Sequence, residues 1–395
     1  MSERTQQIIW ITMALMAMCL SAVTIWLFAK SLQMRPTQAT SPYLIAYISD
    51  RNGKYQIYLC DLEGREITSP MPFQSGDVLP VCEPHPRAGS GGPRIAFIRF
   101  EAQLGSISAT EVGTPGSIYV VTYGENKATK ISGKVPRILA VAPAWSPDGK
   151  ELAFAGVEDL NGDGQFTKDE AGIYLCNVER GGVRRVATIY TIGTRLQWSP
   201  VEASLILQAE KTNVPLPVAH LLDLTSGQLI TRDDATMTAC WSPDGQFIAL
   251  YSLADRKIHV LSKDGSEQYM INAPGEFLVE LHWLPARAST RAEDKGYLLA
   301  VVASSPRSYS GQLYLRPASP GSSETWKALT AAEASAAYPA ASPDGRYLAY
   351  TLMAAHGPTS MSVDLYVLEL DKAQPRHLTS DPGFEGFPTW IPVGK

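Results

Sequence analysis

The chain has 395 residues, 45% hydrophobic and 18% charged, which excludes a disordered acidic or basic polymer. A net charge of −5 argues against nucleic-acid binding, which calls for a basic face. Gly 31 and Pro 28 supply many turns without a collagen-like period, and five cysteines are too few for a disulfide scaffold.

Residues 8–29 form an uncharged apolar run flanked by Trp10 and Trp26. At about 1.5 Å per residue the run spans roughly 33 Å, enough for a bilayer core. It is too long for a signal-peptide core, and no small-residue cleavage site follows it. The expectation is an uncleaved signal anchor in residues 1–29, with the N-terminus inside, and a polar linker over residues 30–42.

The remainder repeats. Ser146-Pro-Asp-Gly149, Ser242-Pro-Asp-Gly245 and Ser342-Pro-Asp-Gly345 are identical, and each predicts a tight turn between antiparallel strands. A short apolar strand with a small residue inside it recurs at 44–48, 95–98, 152–154, 205–207, 247–250, 298–301 and 347–350. A further strand follows at 57–60, 118–121, 173–176, 219–222, 258–261, 313–315 and 365–368. Fourth strands at 65–68, 128–131, 184–187 and 376–379 close the units. The strand before each turn has one slot for a large residue, occupied in order by Cys82, Trp145, Trp198, Trp241, Trp283, Ala341 and Trp390. Tryptophan at one slot of successive sheets predicts packing between neighbours.

Four short strands per unit of about 50 residues predict an all-β, seven-bladed β-propeller over residues 43–395, with six or eight blades as alternatives. The two ends complement each other. Residues 387–392 form a first strand with no blade after it, and residues 43–68 form a blade lacking a first strand. The C-terminus is therefore expected to complete the N-terminal blade.

The W-S-P-D-G turn, the I-A-F strand and the hairpin Ile45-Ala-Tyr-Ile-Ser-Asp-Arg-Asn-Gly53-Lys-Tyr-Gln-Ile57-Tyr58 resemble TolB-type propeller repeats. The resemblance covers residues 43–395. It implies a propeller that binds other proteins in the cell envelope through its faces. The apparent anchor and the seven units depart from TolB itself, so a Tol–Pal role is not carried over.

One segment matches the calcium-loop pattern D-x-[DN]-x-[DN]-G-x5-E at every fixed position. Its spacing assigns side-chain oxygens to Asp159, Asn161 and Asp163, a backbone carbonyl to Gln165, a water-bridging place to Thr167 and a bidentate carboxylate to Glu170. Strands flank the loop, so the expectation is a structural Ca2+ and not a sensor.

No zinc spacing, nucleophile elbow or phosphate loop is present. His220 and His259 sit in the tyrosine slot of the third strand, which predicts packing. His377 is expected at the surface, and His85 and His356 near turns. His282, beside Trp283, is the one histidine placed to approach the channel. The cysteines are expected as free thiols. Among the residues three before each large-residue slot, Arg195, Glu280, Tyr338 and Phe387 suit ligand binding at the channel mouth.

These features predict a single-pass membrane protein whose extracytoplasmic propeller is a non-catalytic protein-binding or assembly module of the envelope, with no nucleic-acid partner. The alternative is a propeller that recognises a carbohydrate or small molecule, or acts on polysaccharides as a lyase or hydrolase.

Overall fold

The computed structural model describes residues 42–393 except 68–70, 87–90, 102–111, 192–194, 212–213, 232–235, 286–295, 304, 306–307, 309, 320–324, 356–360 and 373. The expected membrane segment lies outside the described residues, as does the linker except Pro42. No described helix is long and apolar enough to cross a membrane.

The local turns set the pattern. Ser146, Ser242 and Ser342 each accept a backbone N–H from Gly149, Gly245 and Gly345 at 2.8–2.9 Å, and these glycines adopt φ of 65° to 66°. In each turn the buried serine hydroxyl donates to the aspartate two residues on, and accepts the N–H of Glu151, Phe247 or Tyr347 at 2.9 Å. A residue with a Cβ would strain that left-handed glycine position. The turn is thus closed by bonds among residues no more than five apart.

The strands follow as antiparallel meanders. The first begins with β1 (Tyr43–Ser49) and β2 (Gln56–Cys60). The next contains β3 (Asp77–Cys82), β4 (Arg94–Phe100), β5 (Thr114–Thr122) and β6 (Thr129–Lys130). It shares a nine-stranded sheet with β7 (Arg137–Ile138), β8 (Ala144–Trp145), β9 (Glu151–Val157), β10 (Ala171–Asn177) and β11 (Val183–Thr188). A four-stranded sheet follows, β12 (Gln197–Trp198), β13 (Ser204–Lys211), β14 (Val214–Asp223) and β15 (Leu229–Thr231). Another holds β16 (Thr236–Trp241), β17 (Phe247–Ser252), β18 (Lys257–Ser262) and β19 (Glu267–Asn272). The eight-stranded sheet joins β20 (Phe277–Leu284), β21 (Tyr297–Ala303), β22 (Gly311–Pro317) and β23 (Lys327–Ala328) to β24 (Ser335–Ala341), β25 (Tyr347–Ala355), β26 (Met361–Glu369) and β27 (Gln374–His377). The last strand, β28 (Glu385–Pro392), leaves this order and pairs antiparallel with β1, with Trp390 opposite Ile45 and Ile391 opposite Leu44. The expected closure is therefore observed, and the fold is an all-β propeller.

Two of the four expected fourth strands are shorter than the sequence pattern suggests, whereas those at 184–187 and 376–379 form β11 and β27. Residues 65–67 reach the first sheet only through a bridge from Glu66 to Cys60, and residues 128–131 contribute two strand residues. These edge segments bury little, so few contacts hold them in register.

Inner strands meet from sheet to sheet. β3 packs on β8, β8 on β12, β16 on β20, and β28 on both β24 and β3. The core lies between the sheets. Leu44, Phe97, Trp145 and Phe154 share one cluster, and Ile45, Leu365 and Trp390 share another across the closing seam. All five slot tryptophans are buried. Trp145 donates Nε1–H to the Val81 carbonyl at 3.1 Å, and Trp390 donates to the Ala340 carbonyl at 2.8 Å. In both cases the acceptor lies one residue before the equivalent slot of the preceding inner strand. Cys60, Cys82, Cys176 and Cys240 are free, as expected, and burial raises every one of these thiols, Cys176 to about 11 and Cys240 to about 12.

Two histidines fill the tyrosine slot in different ways. His220 pairs with Leu207 as Tyr119 pairs with Phe97, and it is buried. His259 instead meets Glu267 at 2.7 Å and Asp255 at 3.0 Å, and these carboxylates raise its pKa against the opposing effect of burial. His377 lies on β27, stacked on Tyr366 and bonded to buried Asp364 at 3.0 Å.

The seam carries one uncompensated acid. Glu385 is fully buried, and among the described residues no well-formed hydrogen bond reaches either carboxylate oxygen, the Thr379 hydroxyl being only a weak neighbour. Burial pushes its pKa up to about 7, with Thr379 and Arg51 only partly opposing. A folded pKa above the unfolded one means that stability is full below the ordinary glutamate value of about 4.3. It is then lost as pH rises toward 7. Melting temperature should fall between pH 5 and 7.5, and Glu385→Gln should flatten that slope; an unaltered slope would show that Glu385 ionises freely. Deleting residues 385–395 should abolish cooperative unfolding in a calorimetric scan. Trp390→Ala should cost about 3–5 kcal/mol.

Candidate functional site

The inner strands carry a repeated irregularity. Leu79, Tyr338 and Phe387 have φ of 51°, 51° and 53°, a conformation that bulky residues rarely adopt. Each occupies the position three before the large-residue slot, and each precedes a proline, Pro80, Pro339 or Pro388. The pairing register skips at all three. Residues 79–80 oppose Phe97, residues 338–339 oppose Tyr350, and residues 387–388 oppose Tyr47. These are β-bulges, and proline suits them because it has no N–H to give to a ladder. The proline following each bulged residue is a sequence signal that the strand pattern by itself overlooks.

The bulged residues line one cavity of about 400 Å3, together with residues from β8, β12 and the loops that enter them. Trp145, Trp198, Pro143 and Arg195 are also on its wall. The cavity follows the inner strands as far as Pro147 and Pro200, so it reaches the Ser-Pro turns. It thus extends well past the entering end of these strands, where the slot spacing places ligand binding. His85, expected only near a turn, is on the wall.

The four expected ligand residues converge as two pairs. Tyr338 and Phe387 stack with ring centroids 3.9 Å apart. Arg195 Nη2 lies 3.6 Å from Glu280 Oε2. The backbone N–H of Tyr338 donates to the Glu280 carboxylate and so links the pairs. Arg195, Tyr338 and Phe387 line the cavity, whereas Glu280 does not. Glu280 instead sits behind Arg195 and accepts from His282 Nε2 at 3.0 Å.

Electrostatics orders this cluster. Burial alone would raise the Glu280 pKa, but the His282 hydrogen bond and the Arg195 charge hold it below the usual range. Burial and the nearby Arg195 depress His282, with Glu280 opposing. The resting state is thus a carboxylate, a neutral imidazole and a guanidinium.

The residues of the expected calcium loop are held in one hairpin loop between β9 and β10. Gly162 and Gly164 take φ of 75° and 77°. Asp159 Oδ1 accepts the N–H of Gly162 at 2.7 Å, and its Oδ2 accepts that of Gly164 at 2.9 Å. Asn161 Oδ1 accepts from Asp163, and Asp163 Oδ1 accepts from Gln165. Glu170, buried at the end of a single 3-10 turn (Lys168–Glu170), accepts from Leu160 N–H and from Thr167 N–H and Oγ1–H. The backbone N–H of Thr167, opposed by burial, depresses its pKa. Phe166 anchors the loop under Arg137, whose guanidinium carbon lies 4.5 Å from the ring centre. Among the described residues no three His, Cys, Asp or Glu side chains are gathered into a metal cage.

No family model matches the chain, and no curated protein matches it. Among solved structures, TolB from Acinetobacter baumannii is similar over 90% of this chain and 84% of its own, at 18% identity and a TM-score of 0.48. The hydrazine synthase of Kuenenia stuttgartiensis is similar over 60% of this chain and 64% of its own, at 14% identity and a TM-score of 0.44. At TM-scores under 0.5 neither likeness bears on function.

Because the folded pKa of His282 lies below its unfolded value, the unfolded chain takes up the proton first as pH falls. His282 therefore supports the fold above its ordinary value of about 6.5 and ceases to do so as pH drops below it. The difference in melting temperature between the wild type and His282→Gln should shrink from pH 7.5 to pH 5. A difference that stays constant would show that His282 does not titrate with folding.

Proposed function

We propose that the chain is a single-pass, membrane-anchored extracytoplasmic protein whose β-propeller is a non-catalytic binding module of the cell envelope. The meanders number seven when β28, β1 and β2 count as one blade. The observation that carries the reading is the axial cavity. It is walled by tryptophan, proline and stacked aromatic side chains, with Arg195, His85, Gln197, Ser199 and Thr389 as polar groups among them, which is the make-up of a recognition site. Strained bulges hold its side chains in place, and such strain concentrates at binding sites. Its partner is a protein of the same envelope.

A second reading is favoured by the Glu280–His282 contact, an acid and a base at 3.0 Å in the interior of the ring. It would make the propeller a polysaccharide lyase or hydrolase. Against it, neither residue lines the cavity. A pulldown from detergent-solubilised envelopes should recover a protein partner. Recovery of none, with binding on a glycan array, would move the assignment to carbohydrate recognition. Polymer turnover lost in His282→Ala would move it to catalysis.

The loop at residues 159–170 is proposed as a structural Ca2+ site. Its donor types and spacing are those of a hard-cation loop, and the carboxylates, not gathered among the described residues, would have to turn inward onto the ion. Side-chain oxygens of Asp159, Asn161 and Asp163 alternate along a turn that the two left-handed glycines permit, and Glu170 adds a fourth donor group. The Gln165 carbonyl and a water held by Thr167 would complete it. The ion would neutralise three carboxylates placed in one short segment. Saturating Ca2+ at about 100 times its Kd should stabilise the fold by about 2.7 kcal/mol. The shift in melting temperature on chelation should vanish in Asp163→Ala. An equal melt with and without chelator, with no metal by elemental analysis, would remove the site.

A further inference from the structure

The cavity wall is electrostatically one-sided. No Asp or Glu lies on it, and Arg195 is its one Lys or Arg among the described residues. This contrasts with a chain whose net charge is −5.

Arg195 is also underbonded among the described residues. Its side chain is 44% exposed, and its contacts among the described residues are 3.6 Å to Glu280 Oε2 and 3.4 Å to His282 Nε2. Charge-assisted N–H···O bonds usually measure about 2.7–2.9 Å. The arginines of β4 meet that standard, Arg94 at 2.6 Å from Glu83 and Arg99 at 2.6 Å from Asp77. Glu280 is engaged by His282 and by the Tyr338 N–H. It orients Arg195 from behind without taking up the planar fork. With Nε2–H of His282 given to Glu280, that nitrogen offers Arg195 no lone pair. Among the described residues, the donors of Arg195 therefore remain open toward a cavity walled mainly by aromatic, proline and aliphatic side chains, with His85, Gln197, Ser199 and Thr389 as its other polar groups.

We propose that the cavity selects an apolar ligand bearing a carboxylate, which Arg195 receives in bidentate fashion while Trp145, Trp198 and the stacked pair Tyr338–Phe387 enclose the apolar body. This rests on the binding-module reading and adds the class of ligand. A volume of about 400 Å3 fits a small acid or the last residues of a chain, not a folded surface. Both sources present the same chemistry, a hydrophobic group ending in a carboxylate. Planar bidentate recognition also explains why arginine, rather than lysine, suits the position.

The test uses the full chain in detergent and follows the fluorescence of Trp145 and Trp198. Isovalerate probes a free small acid, and N-acetyl-Pro-Leu probes a chain terminus; the amide of each is its control. At least one acid should bind ten-fold or more tightly than its amide. Arg195→Gln should erase that preference, Arg195→Lys should retain part of it, and raising salt should weaken only the acid. Whichever acid binds identifies the source. Equal binding of acid and amide, binding of neither, or a preference that survives in Arg195→Gln overturns the proposal. If envelope pulldown still recovers a partner in those cases, the binding-module reading stands without it. If the acids bind but no protein is recovered, the carboxylate site stands and the protein-binding reading falls.

Discussion

The antiparallel pairing of β28 with β1 is the constraint on which the ring depends. It unites residues more than 330 positions apart, and without it two sheet edges would face solvent. The joint is chemically the same as an internal one. Trp390 reaches the Ala340 carbonyl across the seam as Trp145 reaches Val81 within the chain. Tyr43 and Tyr347 then flank Trp390, one edge-on and one stacked. The seam differs in what it buries: Glu385 comes with the closing strand and finds no well-formed hydrogen bond there among the described residues. Closure is thus stable by packing and sensitive to charge.

Closure also creates the cavity. Inner strands that pack side by side around an axis must direct one face inward, and the bulges at Leu79, Tyr338 and Phe387 re-aim single residues toward that space. A left-handed backbone at a bulky residue persists only where its surroundings over-determine it. Here the buried aromatic opposite each bulge supplies that constraint. The same geometry that seals the sheets therefore stiffens the wall of the cavity.

Ionic groups divide by role along the same line. Arg94 is held at short range by Glu83, donates to the Gly149 carbonyl and lies over Trp145, so it ties a turn of one meander to the meander before it. Arg99 is held as closely by Asp77. Arg195 is held loosely, by a carboxylate already engaged elsewhere. Fully satisfied pairs rigidify a fold, whereas a loosely held cation does so less.

The local elements were legible in the residues alone. Ser-Pro-Asp-Gly closes its own turn through bonds between residues no more than five apart, and alternating apolar runs define strands through their own period, so neither needs tertiary information. The repeat gave the tryptophan slot, and the complementary ends gave the closure. The slot arithmetic also singled out Arg195, Glu280, Tyr338 and Phe387. How these four divide followed only from the packed ring. Arg195 meets His282 across 87 residues, Glu280 withdraws behind Arg195, and the cavity runs toward the Ser-Pro turns. The packed ring likewise revealed the poorly bonded Glu385 and the two short outer strands. The reason is physical: turns and strands are fixed by neighbours along the chain, whereas the exposure of a side chain and the length of an ion pair depend on how the sheets are angled around the axis.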